Sequence, residues 1–268
     1  MRLTGKRRPV TRAIALVVVV ILALVTVTPA FADFGQPSGI TTEAHSIHKL
    51  YLFVTALAFV VFLIVESALV FAIFRFRRKS DDLPSQFHGS NLLELVWTGI
   101  PVLIVASIFI FTFVTLQKVD HGAKAEDMTV EVTGFQFQWQ FVYNLSDVGP
   151  KSDKASKAQV KVLGTAAEEP TLVIPVNESV EFTLASNDVI HSFYVRDFLY
   201  KLDVVPGRNN KFKITARETG EFIGQCAELC GLNHALMRFK VKVVERPEFD
   251  KWLAEKAASS IKSAQRVP

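Results

Sequence analysis

The sequence predicts a membrane α+β protein, an N-terminal two-helix transmembrane hairpin followed by an antiparallel β-sandwich or barrel. Two apolar runs, Leu50 to Phe74 and Leu92 to Leu116, predict the hairpin. Each is long enough to cross ~30 Å of hydrocarbon as a helix. From Asp127 onward the hydrophobic period changes to two, which predicts strands. Composition agrees: half of the 268 residues are hydrophobic and 22 are Phe, as in a membrane protein of one or two domains. The net charge of +4 is spread along the chain with no long basic stripe, so the predicted partner is a lipid bilayer and not nucleic acid.

The first element, residues 1–32, reads as a cleaved secretory signal peptide. Arg2, Lys6, Arg7, Arg8 and Arg12 form a basic head, Ala13 to Val27 an apolar stretch, and Ala30 and Ala32 supply small residues before a cleavage point at Asp33. Residues 33–120 form the hairpin, with helices over about 48–76 and 91–117. Between them Arg75, Arg77, Arg78 and Lys79 form a basic cluster that stays on the cytoplasmic side. Both outer ends, and everything after residue 117, then lie on the export side of a bacterial-type plasma membrane. Glu66 and Glu94 fall inside or at the edge of the spans. A carboxylate there costs ~3 kcal/mol on insertion, so each should face protein or water.

Residues 121–246 form the exported β domain. Phe135, Phe137, Trp139, Phe141 and Tyr143 alternate with Gln136, Gln138, Gln140 and Val142, the pattern of one long strand with an aromatic face. Short strand-like runs follow over Gln159 to Leu163, Thr171 to Val176, Ser179 to Ala185, Ile190 to Val195, Lys211 to Thr215, Glu221 to Gly224 and Arg238 to Val244. Pro170, Asn177, Asn187, Pro206, Gly207 and Gly220 punctuate them, as in an all-β sandwich or barrel. Residues 144–158 read as a surface loop. Residues 247–268, charged and Ala-rich, read as a C-terminal surface helix or tail.

The chemistry is concentrated in QCAELCGLNHALM, residues 225 to 237, which holds the two cysteines of the chain. Cys226, Cys230, His234 and Met237 follow the pattern C-x3-C-x3-H-x2-M, and His191 sits in a second turn-rich stretch. Thiolate, imidazole and thioether together form a soft donor set suited to copper. One blue copper needs a single thiolate, whereas two thiolates able to bridge fit two coppers. Two other readings stay open on the residues alone. A Cys226–Cys230 disulfide suits an oxidising compartment. Structural zinc suits His191, Cys226, Cys230 and His234 but leaves Met237 without a role. No nucleophile elbow, phosphate loop or C-x-x-C-H haem attachment is present.

Four stretches together resemble subunit II of haem-copper cytochrome c oxidase. They are Phe222 to Met237, Asp188 to Phe193, Lys201 to Arg208, and Leu93 to Thr98 on the second helix. The resemblance runs from about residue 45 to the end. It implies a cupredoxin domain carrying a binuclear copper centre, CuA. In that pattern Cys226 and Cys230 bridge two copper ions, and His191 and His234 bind one each. Met237 completes one copper and the carbonyl of Glu228 the other. The Glu228 side chain is implied as a magnesium ligand shared with subunit I. Glu94 matches the glutamate at the cytoplasmic mouth of the K proton pathway. The family's electron-accepting tryptophan aligns with Phe137, a departure that leaves Trp139 as the alternative. The implied partners are subunit I, further oxidase subunits and a c-type cytochrome. The implied function is transfer of electrons to haem in subunit I, where oxygen is reduced to water and protons are translocated. Two rivals are a CuA subunit of a nitrogen-oxide reductase and a membrane-anchored copper chaperone.

Overall fold

The structure is a computed structural model and describes residues 35–78, 86, 88–120, 128–145, 159–165 and 168–264. The signal-like stretch 1–32 lies outside the described residues, as do most of the polar turn after Arg78 and most of the loop expected at 144–158.

Two long helices come first, α1 (Thr42–Arg75) and α2 (Asn91–Val119). Each begins at a hydroxyl cap. Thr41 Oγ1 accepts the Ala44 N–H at 2.9 Å, and Ser90 Oγ accepts that of Leu93 at 3.4 Å, replacing bonds that the first helical turn cannot make internally. Glu43 and Glu94 sit in the first turns, where a carboxylate opposes the positive end of the helix dipole. Both helices present apolar surface all round, which in water would be untenable and in lipid is required. Phe53 and Phe111 pack at 4.6 Å between centroids to join them. At ~1.5 Å rise per residue, the 34 residues of α1 make about 51 Å, so its outer end projects beyond the hydrocarbon.

Ten strands follow: β1 (Met128–Phe135), β2 (Gln138–Asn144), β3 (Gln159–Leu163), β4 (Thr171–Pro175), β5 (Ser179–Ser186), β6 (His191–Val195), β7 (Tyr200–Val204), β8 (Asn210–Thr215), β9 (Gly220–Cys226) and β10 (Arg238–Val244). They form two five-stranded sheets, ordered β3-β2-β1-β5-β8 and β4-β10-β9-β6-β7. The sandwich is mainly antiparallel, with one parallel pair in each sheet, β1 with β5 and β10 with β4. Between the sheets lies an aromatic core in which Trp139, Phe141, Phe182, Phe193 and Phe239 are fully or almost fully buried. Helix α3 (Arg246–Ala264) covers one flank and inserts Phe249 and Leu253.

The aromatic run 135–143 is not one strand. The chain reverses at Gln136–Phe137, and Phe135 pairs with Gln138 across a two-residue turn. The pairing matches odd with even residues, so the turn switches which positions face the core; the aromatic residues nevertheless recur at every second position straight through it, so alternation in the sequence does not betray it. The reversal leaves Trp139, Phe141 and Tyr143 buried and turns Phe135 to the opposite face of β1 from buried Val130 and Val132. Strands β1 and β7 were not resolved by periodicity. The other seven expected strands appear within one or two residues of their predicted ends.

Candidate metal centre

Three connections meet at one end of the sandwich: the β1–β2 turn, the β5–β6 loop and the β9–β10 loop. Strands β6 and β9 are neighbours, with Phe193 opposite Cys226. That pairing sets His191, the first residue of β6, beside Cys226, the last of β9. Backbone bonds continue the register into the loop. Ala227 N–H donates to the Ser192 carbonyl at 3.0 Å, and Cys226 N–H to the Met237 carbonyl at 3.0 Å. The loop therefore leaves β9 and re-enters β10 at a fixed width, and Met237 returns beneath its own start.

Within this frame the sulfur and nitrogen atoms converge. Cys226 Sγ lies 3.9 Å from Cys230 Sγ and 3.9 Å from His191 Nδ1. Cys230 Sγ lies 3.6 Å from His234 Nδ1 and 3.8 Å from Met237 Sδ. The Glu228 carbonyl oxygen is 3.3 Å from Cys226 Sγ. His191, Cys226, Cys230 and Met237 are all buried, while His234 is half-buried. Five predicted ligand side chains and the predicted carbonyl thus come together.

These separations discriminate between the readings left open by the residues. Two sulfurs joined in a disulfide lie ~2.0 Å apart, and both cysteines here are free. Donors bound to one metal at ~2.0–2.3 Å in tetrahedral array stand ~3.3–3.8 Å from one another, close to the observed spacings. Met237, fully buried and facing a thiol, gives the cluster a thioether that zinc does not use and copper does. The donor set fits copper.

The protonation of the cluster follows from its contacts. Burial pushes the Cys226 thiol up, but His191, backbone groups of Glu228 and Ser192, and His234 together pull it down to about 6. Burial and the charge and proximity of Cys226 push Cys230 up to about 12. The two thiols do not ionise independently, because a second thiolate would face the first across 3.9 Å. A cation supplies the charge that lets both sulfurs ionise.

Asp188 and Gln136 form the next layer, which the sequence did not reveal. Asp188 Oδ1 lies 2.8 Å from His191 Nε2. Burial opposes its ionisation, but hydrogen bonds from His191 and from the Gln136 and Val189 amides hold it below the usual carboxylate range. A carboxylate only accepts, so a proton sits on Nε2, which leaves Nδ1, on the side of Cys226, as the nitrogen able to offer a lone pair to a metal. Gln136 Nε2 donates to the Cys230 carbonyl at 2.6 Å. Trp139 stands edge-on to the His191 ring with centroids 6.1 Å apart, and its Nε1–H donates to the Met237 carbonyl at 3.4 Å.

The remaining predicted residues are spread more widely. Phe137 lies on the β1–β2 turn, partly buried against the ligand loop at Gly231. The Glu228 side chain is half-exposed, 3.8 Å from Lys201, which also lies 3.8 Å from Asp203. Glu94 is exposed in the first turn of α2 and takes no part in the cluster.

The chain is similar to known proteins over most of its length. Residues 128–244 match the family profile described as cytochrome C oxidase subunit II, periplasmic domain. Residues 29–115 match the one described as cytochrome C oxidase subunit II, transmembrane domain. A relative named "Probable cytochrome c oxidase subunit 2" from Rickettsia bellii is 32% identical over 225 residues, covering 82% of this chain and 81% of that protein. Cytochrome c oxidase subunit 2 of Mycobacterium tuberculosis is 33% identical over 270 residues, covering 83% and 74%. Among solved structures, the periplasmic domain of subunit II of cytochrome oxidase from Bradyrhizobium japonicum is 35% identical, with a TM-score of 0.43, covering 51% of this chain and 97% of that one.

Proposed function

This chain belongs to the cytochrome c oxidase subunit II family, and from that membership we propose that His191, Cys226, Cys230, His234, Met237 and the Glu228 carbonyl hold two copper ions. The chain is a membrane subunit of a haem-copper oxidase, with its sandwich on the outer side. It carries electrons to haem in subunit I, where oxygen is reduced to water and protons are translocated. The nitrogen-oxide reductase and chaperone readings draw no support from the family match.

The observation that carries the ligand assignment is the convergence of two thiols, two imidazole Nδ1 atoms and one thioether at separations of 3.6–3.9 Å. When bound, copper supplies the one-electron redox change that this soft donor set favours. The protein's part is to hold the donors still. Cys226 and Cys230 present their sulfurs to one space, so either can be shared by two ions. The backbone bonds from Cys226 to Met237 and from Ala227 to Ser192 tie the ligand loop to two strands. Fixed ligands need little rearrangement between oxidation states, which is what rapid electron transfer requires. The aromatic floor of Trp139, Phe193 and Phe239 excludes water beneath them.

Several finer assignments belong to the same proposal. The donor is a c-type cytochrome. Phe137 marks the position where electrons arrive, because it lies partly buried on the turn over the ligand loop while Trp139 is fully buried. Glu228, half-exposed beside Lys201, offers its carboxylate to a magnesium ion shared with subunit I. Glu94, exposed at the cytoplasmic start of α2, serves the mouth of a proton pathway. The domain limits are 1–32 for a cleaved leader, 33–120 for the hairpin, 121–246 for the copper domain and 247–268 for the tail.

The test uses the purified oxidase with the full chain. Metal analysis should find two copper ions attributable to this subunit, and the oxidised complex should show an unpaired electron shared between two copper nuclei. Cys226→Ser or Cys230→Ser should remove that signal and abolish cytochrome-driven oxygen uptake while haem content stays intact. Wild-type oxygen uptake in either serine variant would refute the assignment.

A further inference from the structure

The two ligand-bearing loops are far apart in sequence, yet a single residue that binds no metal touches the supports of both. Gln136 sits on the β1–β2 turn. Its backbone N–H donates to Asp188 Oδ2 at 2.6 Å, and Asp188 Oδ1 receives the Nε2–H of His191 at 2.8 Å. Its side-chain Nε2 donates to the Cys230 carbonyl at 2.6 Å. The first contact spans 52 residues of sequence and the second spans 94.

We propose that Gln136 is a positioning residue that sets the His191 and Cys230 halves of the metal centre in register with each other. This rests on the copper reading of the cluster and goes beyond it, because Gln136 is not a ligand.

The seat is shaped for this side chain. Gly231, one residue after Cys230, has φ +131°, and a Cβ there would come within 3.0 Å of Gln136 Nε2 and 3.1 Å of the Phe137 ring. A side chain at 231 would therefore displace the amide from the Cys230 carbonyl. On the other side of the turn, a Cβ at Gly134 would stand 3.1 Å from His191 Cδ2, so the strand approaches the imidazole closely only because residue 134 is glycine. The contact needs a donor at the reach of a glutamine. Leucine keeps the bulk and removes the donor, and asparagine keeps the amide and shortens the reach. In either case the turn still holds Asp188 by its backbone, while the Cys230 half loses its tie. The two halves can then shift separately, and a metal centre that drew donors from both halves would be sensitive to such a shift.

The experiment compares wild type, Gln136→Leu, Gln136→Asn and a control, Gln138→Leu, in the purified oxidase. Gln138 lies on the same hairpin but donates to Thr165, away from the ligands. Two quantities are read: copper retained by the subunit during dialysis against a chelator, and the copper hyperfine pattern of the oxidised complex. Outer supports of metal ligands commonly change affinity ~10- to 100-fold. Both Gln136 variants should lose copper faster by about that factor, and the copper they keep should show unequal sharing of the electron between nuclei. Gln138→Leu should match wild type. Wild-type retention and spectrum in both Gln136 variants would overturn the inference while leaving the ligand assignment intact. A Gln138→Leu variant as impaired as the others would also overturn it, by showing that any damage to the hairpin has the same effect. A wild-type complex without copper in this subunit would bring down the ligand assignment itself.

Discussion

At the scale of residues, the candidate donors His191 and Cys230 rest on Asp188 and Gln136, which are not among the proposed ligands. Scarce soft side chains gathered into thirteen positions are a signal in themselves, because softness is a property of residue type. Asp188 and Gln136 carry no such mark. An aspartate in a turn-rich stretch and a glutamine in an aromatic run are ordinary, and their roles exist only once loops 52 and 94 residues apart have closed. Asp188 shows the difference most clearly. It takes hydrogen bonds from the His191 ring, the Gln136 amide and the Val189 amide, and so determines which imidazole nitrogen faces the sulfurs. In Asp188→Asn the charge that raises the basicity of His191 is gone, and the new NH2 group competes for a position that already faces N–H donors. Copper affinity should fall ~10- to 100-fold, the range for outer partners of metal-bound histidines, as measured by competition with a copper chelator. Unchanged affinity would mean that packing against Gly134 and Trp139 alone orients the ring.

At the scale of elements, periodicity located most strands and failed at two for different reasons. In the β1–β2 hairpin the aromatic residues recur at every second position straight through the turn, although the turn switches the face they point to. Strand β7 reads Tyr-Lys-Leu-Asp-Val and lies at the edge of its sheet; it alternates, but over only five residues, of which Val204 alone is buried. The C-terminal helix was expected from composition, but its partner was not. Tyr143 on β2 crosses to the other sheet and bonds the backbone of Val173 on edge strand β4. Its hydroxyl donates to the Val173 carbonyl at 3.0 Å and accepts the Val173 N–H at 2.8 Å. Phe249 and Trp252 of α3 pack against its ring. Tyr143→Phe should leave both Val173 groups buried without partners and cost about 2 kcal/mol, seen as a lower denaturation midpoint of the sandwich. Burial raises the Tyr143 pKa above the ordinary tyrosine range, against a smaller opposite effect of the Val173 bond. A group whose pKa is raised by folding stabilises the fold fully below its unfolded value and loses that contribution as pH rises toward the folded one. Wild type should therefore lose stability above pH about 10, with a steeper decline than Tyr143→Phe. Equal alkaline slopes in the two proteins would contradict the assignment.

At the scale of the whole molecule, hydropathy and the change of period were enough to read the plan of a hairpin carrying a sandwich, because both properties extend over tens of residues. The joint between them is only a few residues long and left no trace in the pattern. Its bonds are nonetheless specific. Ile40 N–H donates to the Asp197 carbonyl at 2.8 Å, and Arg217 N–H to the Ile40 carbonyl at 2.7 Å. Arg217 Nε reaches Thr42 Oγ1 at 2.7 Å, and the buried Glu43 accepts the Thr215 N–H at 2.9 Å. The start of α1 is thereby fastened to the end of β8, and the copper domain is held over its own membrane anchor. This fastening shares no residue with the metal cluster or with the supports around it. Glu43→Ala should therefore loosen the joint without disturbing the site. A hydrogen bond to a charged partner is worth about 2 kcal/mol, so exchange of the Thr215 amide with solvent should accelerate by more than tenfold, while copper content and spectrum stay as in wild type. If the spectrum changed along with the exchange rate, the joint and the metal site would be one mechanical unit, and the separation of anchor from electron carrier argued from these contacts would be wrong.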